Sequence, residues 1–326
     1  MFNQPTVSNK AFAGPAAGER NIMRRIKADL ACKWRIAKKH KMQYLFIMPY
    51  LVIFVAFTVV PVVMSMCLSF TYFNILEFPR FIGLQNYFRL FVDDRIFIKS
   101  LANTIMFAVV TGPVSYMIAL FMAWLINDIP RTLRVIVTVL LYAPSLAGGM
   151  TNIFRIFFSS DATGYLNAIL LKWGIINEPI KYLENPDYIV PIVIFVILWG
   201  SLGTQFLSFI AGLQGIDRQY YEAGAVDGIT NRWQELWYVT LPLMKPQLLF
   251  GAVISITGSF NIGSVVTGLT GTISADYSAH TVVLHLQDYG TTKFEMGYAS
   301  AIATVLFIIM ISSNMAVRKL INKVGE

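Results

Sequence analysis

Long apolar runs alternate with short polar connections along most of the chain. Six runs, residues 44–70, 101–126, 133–158, 189–213, 247–270 and 297–317, are long enough for a helix across a hydrocarbon core about 30 Å thick, which needs roughly 20 residues. Several hold Pro or Gly internally (Pro49, Pro61, Pro113, Pro144, Gly148, Gly149), which a helix packed in a bundle accommodates better than a lone one. The pattern predicts an all-α integral membrane protein of six transmembrane helices over residues 44–317, with a polar tail at 1–43 and a short one at 318–326. The first run is longer than the roughly 7–15 apolar residues of a signal peptide, so it reads as a retained span.

The connection at residues 216–242 has its own structure. In "YYEAGAVDGITNRWQELWYVTLP", Asp217 is placed to cap a short helix, Asp227-Gly228 reads as a turn, and Ile229, Trp233, Leu236, Trp237 and Thr240 recur at helical spacing. Pro242 and Pro246 suit the start of the next span. A helix, tight turn and amphipathic helix therefore lie along the membrane surface. Such an element either rests on lipid headgroups or docks another protein. The small residues Ala223, Gly224, Ala225 and Gly228 and the acid Glu222, which an anionic leaflet would repel, favour docking.

Charge then orients the chain. Lys and Arg crowd the N-terminal tail, recur in the second connection (Arg131, Arg134) and the fourth (Arg218, Arg232, Lys245), and close the chain (Arg318, Lys319, Lys323). These flanks are placed in the cytoplasm with both termini, while the acid-bearing connection after residue 158 faces outward. The formal charge of +8 is explained by these flanks and does not indicate nucleic acid. At 56% hydrophobic and 13% charged, the composition excludes an ordinary soluble domain.

Chemistry is sparse. The sequence has no G-x-x-x-x-G-K-[ST] phosphate loop, no HExxH and no G-x-S-x-G, so neither ATP binding in that manner nor familiar hydrolysis is encoded. Cys32 and Cys67 suggest no bridge, and His280 and His285, five apart in an outer loop, have no metal-ligand spacing. Arg155 reads as a snorkelling residue near the outer end of the third span. The polar residues inside spans are more informative. Ser201, Thr204, Gln205 and Ser208 share a helical face in the fourth span; Thr257, Asn261 and Ser264 share one in the fifth, with Ser259 nearby. They serve either hydrogen bonding between helices or the lining of a pathway. An ion-gradient-driven secondary transporter or a channel is the alternative to an ATP-driven permease, although mid-membrane acids and histidines are nearly lacking.

The stretch "EAGAVDGITNRWQELWYVTLP" resembles the cytoplasmic loop through which permeases of binding-protein-dependent ABC importers meet their ATPase. Glu222, Ala223, Gly228, Leu241 and Pro242 match its pattern; Gly224 stands for the second Ala, Val239 for Ile, and one extra residue lies between Gly228 and Val239. "FIGLQNYFRLFVDDRIFIKSLANTIMF" and "MGYASAIATVLF" are similar to segments introducing the second and last spans of carbohydrate permeases of the maltose and glycerol-phosphate type. The resemblance implies a type I ABC importer permease fold in a bacterial plasma membrane, importing a sugar, with Glu222, Ala223, Gly224, Asp227, Gly228, Leu241 and Pro242 coupling to the ATPase. It implies a second, homologous permease as heterodimer partner, two ATPase subunits that hold ATP and Mg, and an external sugar-binding protein. No cofactor is expected on this chain itself. Substrate contacts would fall on Ser201, Thr204, Gln205, Ser208, Thr257, Ser259 and Asn261.

Overall fold

The computed structural model describes residues 41–146, 150–271 and 274–322. Most of the expected tails, Gly148 and Gly149 lie outside these residues. Helix α1 (Leu45–Leu68) is apolar throughout, and every side chain from Leu45 to Met64 is exposed. It carries a π turn at Val55–Val59, just before Pro61, where the missing amide and the ring would otherwise clash with the preceding turn. A two-stranded ribbon, β1 (Thr71–Tyr72) against β2 (Arg80–Phe81), and the short α2 (Gln85–Phe88) follow.

The spine of the rest is α3 (Arg95–Asn127), 33 residues and therefore about 50 Å at 1.5 Å per residue. Beyond it lie α4 (Arg131–Leu146), α5 (Met150–Phe157), the short α6 (Tyr165–Lys172), α7 (Pro186–Trp199) and α8 (Thr204–Gln214). The chain continues through α9 (Arg218–Val226), α10 (Arg232–Leu243), α11 (Lys245–Phe260), α12 (Gly263–Thr270), α13 (Val282–Gln287) and α14 (Met296–Asn322).

Three apolar clusters share α3. Phe107 packs with α7 and α12 through Val193, Val196 and Val266. Ala119, Ala123 and Ile126 pack with Phe206, Phe209 and Leu213 of α8 and Leu248 of α11. Phe97 packs with Phe260, Tyr298 and Ile302. The α8 and α11 helices approach closely because Gly251 has no side chain: a Cβ there would run into the ring of Phe209.

Among the described residues four helical stretches are long and apolar enough to cross a membrane, one of them α7 and α8 taken together (Pro186–Gln214), and up to six spans result when each of two bent pairs counts as one. The expected fourth span is interrupted at Gly200–Gly203, between α7 and α8. The expected fifth span is not one helix over 247–270: α11 ends at Phe260, and Asn261 leaves helical geometry (φ −104°, ψ 37°) before α12 begins. At its other end α11 meets α10 at an 83° bend.

Candidate functional site

At the Asn127 end of α3, α9 and α10 form a helical hairpin. Asp217 caps α9 by accepting from the Gln219 amide (3.2 Å), and Asn231 caps α10 by accepting from the Trp233 amide (3.2 Å). Between them, the Ile229 amide donates to the Gly224 carbonyl (2.9 Å) and the Gly228 amide to the Ala225 carbonyl (3.3 Å), a Schellman closure. Gly228 sits at φ +92°, which a side chain would strain. The Tyr221 hydroxyl meets Oγ1 of Thr240 at 3.1 Å across the hairpin. Arg232 pairs with Asp128, and Trp233 packs on Trp124 with ring centroids 5.1 Å apart, so the hairpin is clamped to the end of α3.

The extra residue between Gly228 and Val239 has a structural account. Residues Glu235–Thr240 form a π turn, with the Leu241 amide bonding back to the Leu236 carbonyl. A π turn takes up one additional residue, so the helix after it regains its register without rotating. This bulge also displaces the expected amphipathic face: Trp233 and Trp237 are exposed, whereas Val239 and Thr240 are buried. Gly224 does not serve an outside partner. It is buried, and a Cβ there would meet Cδ1 of Ile229 at 3.1 Å and Cγ2 of Val239 at 3.3 Å, so its smallness lets the hairpin close on itself. Glu222, Ala223, Asp227 and Gly228 face outward, and Leu241 and Pro242 are half-buried at the α10–α11 corner.

A second feature lies at the two helix breaks. A cavity of about 270 Å³ is lined by Ser201, Thr204, Gln205, Ser259 and Asn261, five of the predicted pathway residues, and no charged side chain faces it. Ser208 and Thr257 do not line it. Thr257 is exposed on another face, because the break after Phe260 ends the helical spacing on which its grouping with Asn261 and Ser264 rests. Gln205 is buried; its Nε2 donates to the carbonyls of Ser115 (3.2 Å) and Ser201 (3.3 Å), while Oε1 has no partner among the described residues. The sequence reading missed Thr111, Ser115 and Ser255, which also line the cavity. Ser255 Oγ donates to the Gly112 carbonyl (2.7 Å) and meets Ser115 Oγ at 3.1 Å, fastening α11 to α3. Their signal was the i, i+4 spacing of Thr111 with Ser115 and of Ser255 with Ser259 inside apolar runs.

At the far end of α3, Asp94 gathers three elements. Its Oδ1 accepts from the Phe97 amide (2.8 Å), and its Oδ2 accepts from His285 Nε2 (2.9 Å) and the Tyr298 hydroxyl (2.7 Å). Burial would raise the Asp94 carboxyl, but the bonds from His285, Phe97 and Tyr298 outweigh it and hold the group well below the usual carboxylate range. His280 and His285 are both buried, with ring centroids 5.7 Å apart. Burial, with His285 adding to it, pushes His280 down to about 4. Arg89 pairs with Glu295, and its guanidinium lies 4.3 Å from the Tyr298 ring centroid. Among the described residues no cluster of His, Cys, Asp or Glu is arranged to hold a metal ion.

Comparison with known proteins accords with this geometry. The family model described as "Binding-protein-dependent transport system inner membrane component" matches residues 115–325. The chain is 33% identical to a probable ABC transporter permease protein, YesP, of Bacillus subtilis (strain 168), over 87% of this chain and 91% of the relative. It is 30% identical to the lactose transport system permease protein LacF of Rhizobium radiobacter, over 82% and 89%. In structure it resembles a chain of a bacterial ABC transporter involved in the import of the acidic polysaccharide alginate, with a TM-score of 0.73, 20% identity, and coverage of 90% of this chain and 99% of that one.

Proposed function

The chain belongs to the family of binding-protein-dependent transport system inner membrane components, as a permease of carbohydrate ABC importers, and on that premise we propose how it works within its complex. It supplies half of the translocation path, and a second, homologous permease supplies the other. Two ATPase subunits carry ATP and Mg on the cytoplasmic side, and an external binding protein delivers the sugar. Residues 44–317 form the six-span permease domain, with both termini in the cytoplasm, following the basic flanks.

Residues 216–242 are the coupling loop. The observation carrying this reading is the hairpin itself: two capped helices closed by a glycine turn and set crosswise to α11, with Glu222, Ala223 and Asp227 outward. An element so braced transmits a push as a body. Glu222 and Asp227 offer polar contacts to the ATPase, and Ala223 permits close approach. Ser201, Thr204, Gln205, Ser259 and Asn261 present hydroxyl and amide groups to sugar hydroxyls, and an uncharged lining suits a neutral oligosaccharide.

The test is co-purification in mild detergent of the tagged chain, native or Glu222→Lys, with the bound proteins identified by mass. Glu222 is exposed, so the variant folds as the native chain does. Recovery of an ATPase and a second permease with the native chain, and loss of the ATPase from the variant, is the expected result. Equal ATPase recovery would remove the hairpin from the docking surface; energisation of uptake by an ion gradient at constant ATP would replace the mechanism.

A further inference from the structure

We propose that the recess between the hairpin and the α3–α4 connection is a binding site for a phosphate-bearing anion, separate from the sugar path. The inference rests on the orientation and coupling role proposed above for residues 216–242. The recess has a volume of about 920 Å³, and four arginines line it: Arg131 and Arg134 from α4, Arg218 from α9 and Arg232 from α10. Two carboxylates, Asp128 and Glu235, also line it. Arg232 engages both, at 2.5 Å and 3.7 Å. Arg218 is engaged by Glu222 at 3.5 Å, so four positive charges face three negative, and Arg131 and Arg134 are the two arginines with no carboxylate partner among the described residues. Arg134 is steadied by donating to the Asn127 carbonyl at 3.0 Å. Arg131 has no hydrogen-bond or ion-pair partner among the described residues.

Topology requires basic residues beside spans, but not guanidinium groups from three helices around one recess. Arginine's planar fork matches phosphate oxygens with paired hydrogen bonds. A volume of about 920 Å³ has room for a free phosphate as well as for a phosphorylated small molecule or a lipid headgroup. Asn127, Gln214 and Tyr221 add groups for the rest of a polar ligand. An occupant bridging Arg131 and Arg134 to Arg218 and Arg232 would tie the hairpin to the α3–α4 connection. Occupancy therefore regulates how freely the hairpin moves. The phosphate can come from an anionic lipid of the cytoplasmic leaflet or from a soluble phosphorylated compound.

The assembled importer, with the native chain or with Arg131→Gln, is placed in nanodiscs of phosphatidylcholine alone or doped with phosphatidylglycerol. Each is titrated with inorganic phosphate against sodium chloride of equal ionic strength. The thermal midpoint reports binding and sugar uptake by matched vesicles reports coupling. One source of phosphate is expected to raise the native midpoint, and Arg131→Gln to weaken that response about tenfold with assembly unchanged. Arg131→Lys, which keeps the charge but not the fork, is expected to recover part of it. A response to soluble phosphate in phosphatidylcholine identifies a soluble ligand, and a response only to phosphatidylglycerol identifies the lipid headgroup. No response to either source, or an equal response in Arg131→Gln, overturns the site. Uptake by the native importer without added phosphate is read separately, so a failure of the coupling reading is not confused with a failure of the anion site.

Discussion

Asp94 joins the start of α3 to α13 and α14, segments separated from it by 191 and 204 residues in the chain. Replacing it with Ala removes the α3 cap, worth about 1 kcal/mol. It also strands the His285 and Tyr298 donors, each at roughly 1–3 kcal/mol because burial leaves them little water. The side chains of Asp94 and His285 are only 10% and 3% exposed, so little of that loss is recovered by solvation. Asp94→Ala should therefore destabilise by about 3 kcal/mol or more, a fall of at least roughly 6 °C in thermal midpoint at about 2–4 °C per kcal/mol. Asp94→Asn, which keeps an acceptor for the Phe97 amide, should fall between. Thermal unfolding of the detergent-purified chain, with Tyr298→Phe and the double variant completing a cycle, gives the pairwise term, expected near 1 kcal/mol. Because the folded carboxyl lies below its unfolded value, the stability it contributes is fully present above about pH 4 and is lost as pH falls further. An Asp94→Ala midpoint within a degree of native, or strictly additive variants, would refute the latch.

His280 has the opposite chemistry and the same direction. Its folded value is pushed down to about 4, so the unfolded chain binds the extra proton first, and stability should fall as pH drops from about 6.5 to 4. His280→Gln should flatten that limb of a stability-versus-pH profile, and an unchanged limb would assign it elsewhere. In the hairpin, Gly224→Ala should keep most sugar uptake, since its Cβ would press on the mobile ends of Ile229 and Val239 at 3.1 and 3.3 Å. Gly224→Leu should overpack the same space by about 1–3 kcal/mol and abolish uptake in a vesicle assay; equal uptake by both variants would show that hairpin closure is unimportant. In the cavity, Asn261→Ala should raise the KM for the imported sugar severalfold with protein levels unchanged. Gln205→Leu should instead lower the thermal midpoint, since it breaks the tie to the Ser115 carbonyl. Unchanged uptake kinetics in Asn261→Ala would take this residue off the path.

What the sequence disclosed was local. Hydropathy located the spans because roughly 20 apolar residues leave few alternatives, and Asp217 and Gly228 announced a cap and a turn through their own backbone preferences. The interruptions escaped. No proline marks the break at Gly200–Gly203, and the freed Ser201 carbonyl there accepts from the side-chain amide of Gln205, four residues on, which is itself held by the distant Ser115 carbonyl. The end of α11 at Phe260 likewise has no proline, and although Gly258, Asn261 and Gly263 surround it, helical spacing was carried through it and Thr257 was grouped wrongly with Asn261. The π turn at Glu235–Thr240 left one trace, an extra residue in the loop pattern, but not where the residue would be absorbed. The Asp94 latch depends on three segments far apart in the chain, and only the folded chain brings them together.

The breaks and the hairpin acquire a joint meaning once their positions are compared. The two helices that enter and leave the hairpin, α8 and α11, are the two whose opposite ends are interrupted, at Gly203 and Asn261. Between those ends they are locked together, with Phe209 against Gly251 and Gln247 against Gly212, and locked to α3 through Ser255 and Ser115. Hairpin, α8 and α11 thus form a unit whose two helices, of 11 and 16 residues, run about 16 and 24 Å, with the hairpin at one end and the cavity at the other. A displacement applied at Glu222 need not bend a full-length span, because the chain is already discontinuous where the unit meets the rest. The hydroxyl-lined cavity lies at that discontinuity, so on the proposed mechanism its lining residues are those whose spacing a moving hairpin would change. A disulfide between Gly203→Cys and Ser145→Cys tests this: a Cβ placed at Gly203 would lie 3.7 Å from Cβ of Ser145, a separation that a bond between the two introduced sulfurs tolerates. The bridge should arrest uptake in the oxidised protein and release it on reduction, and undiminished uptake with the bridge closed would mean that α8 does not move against α4.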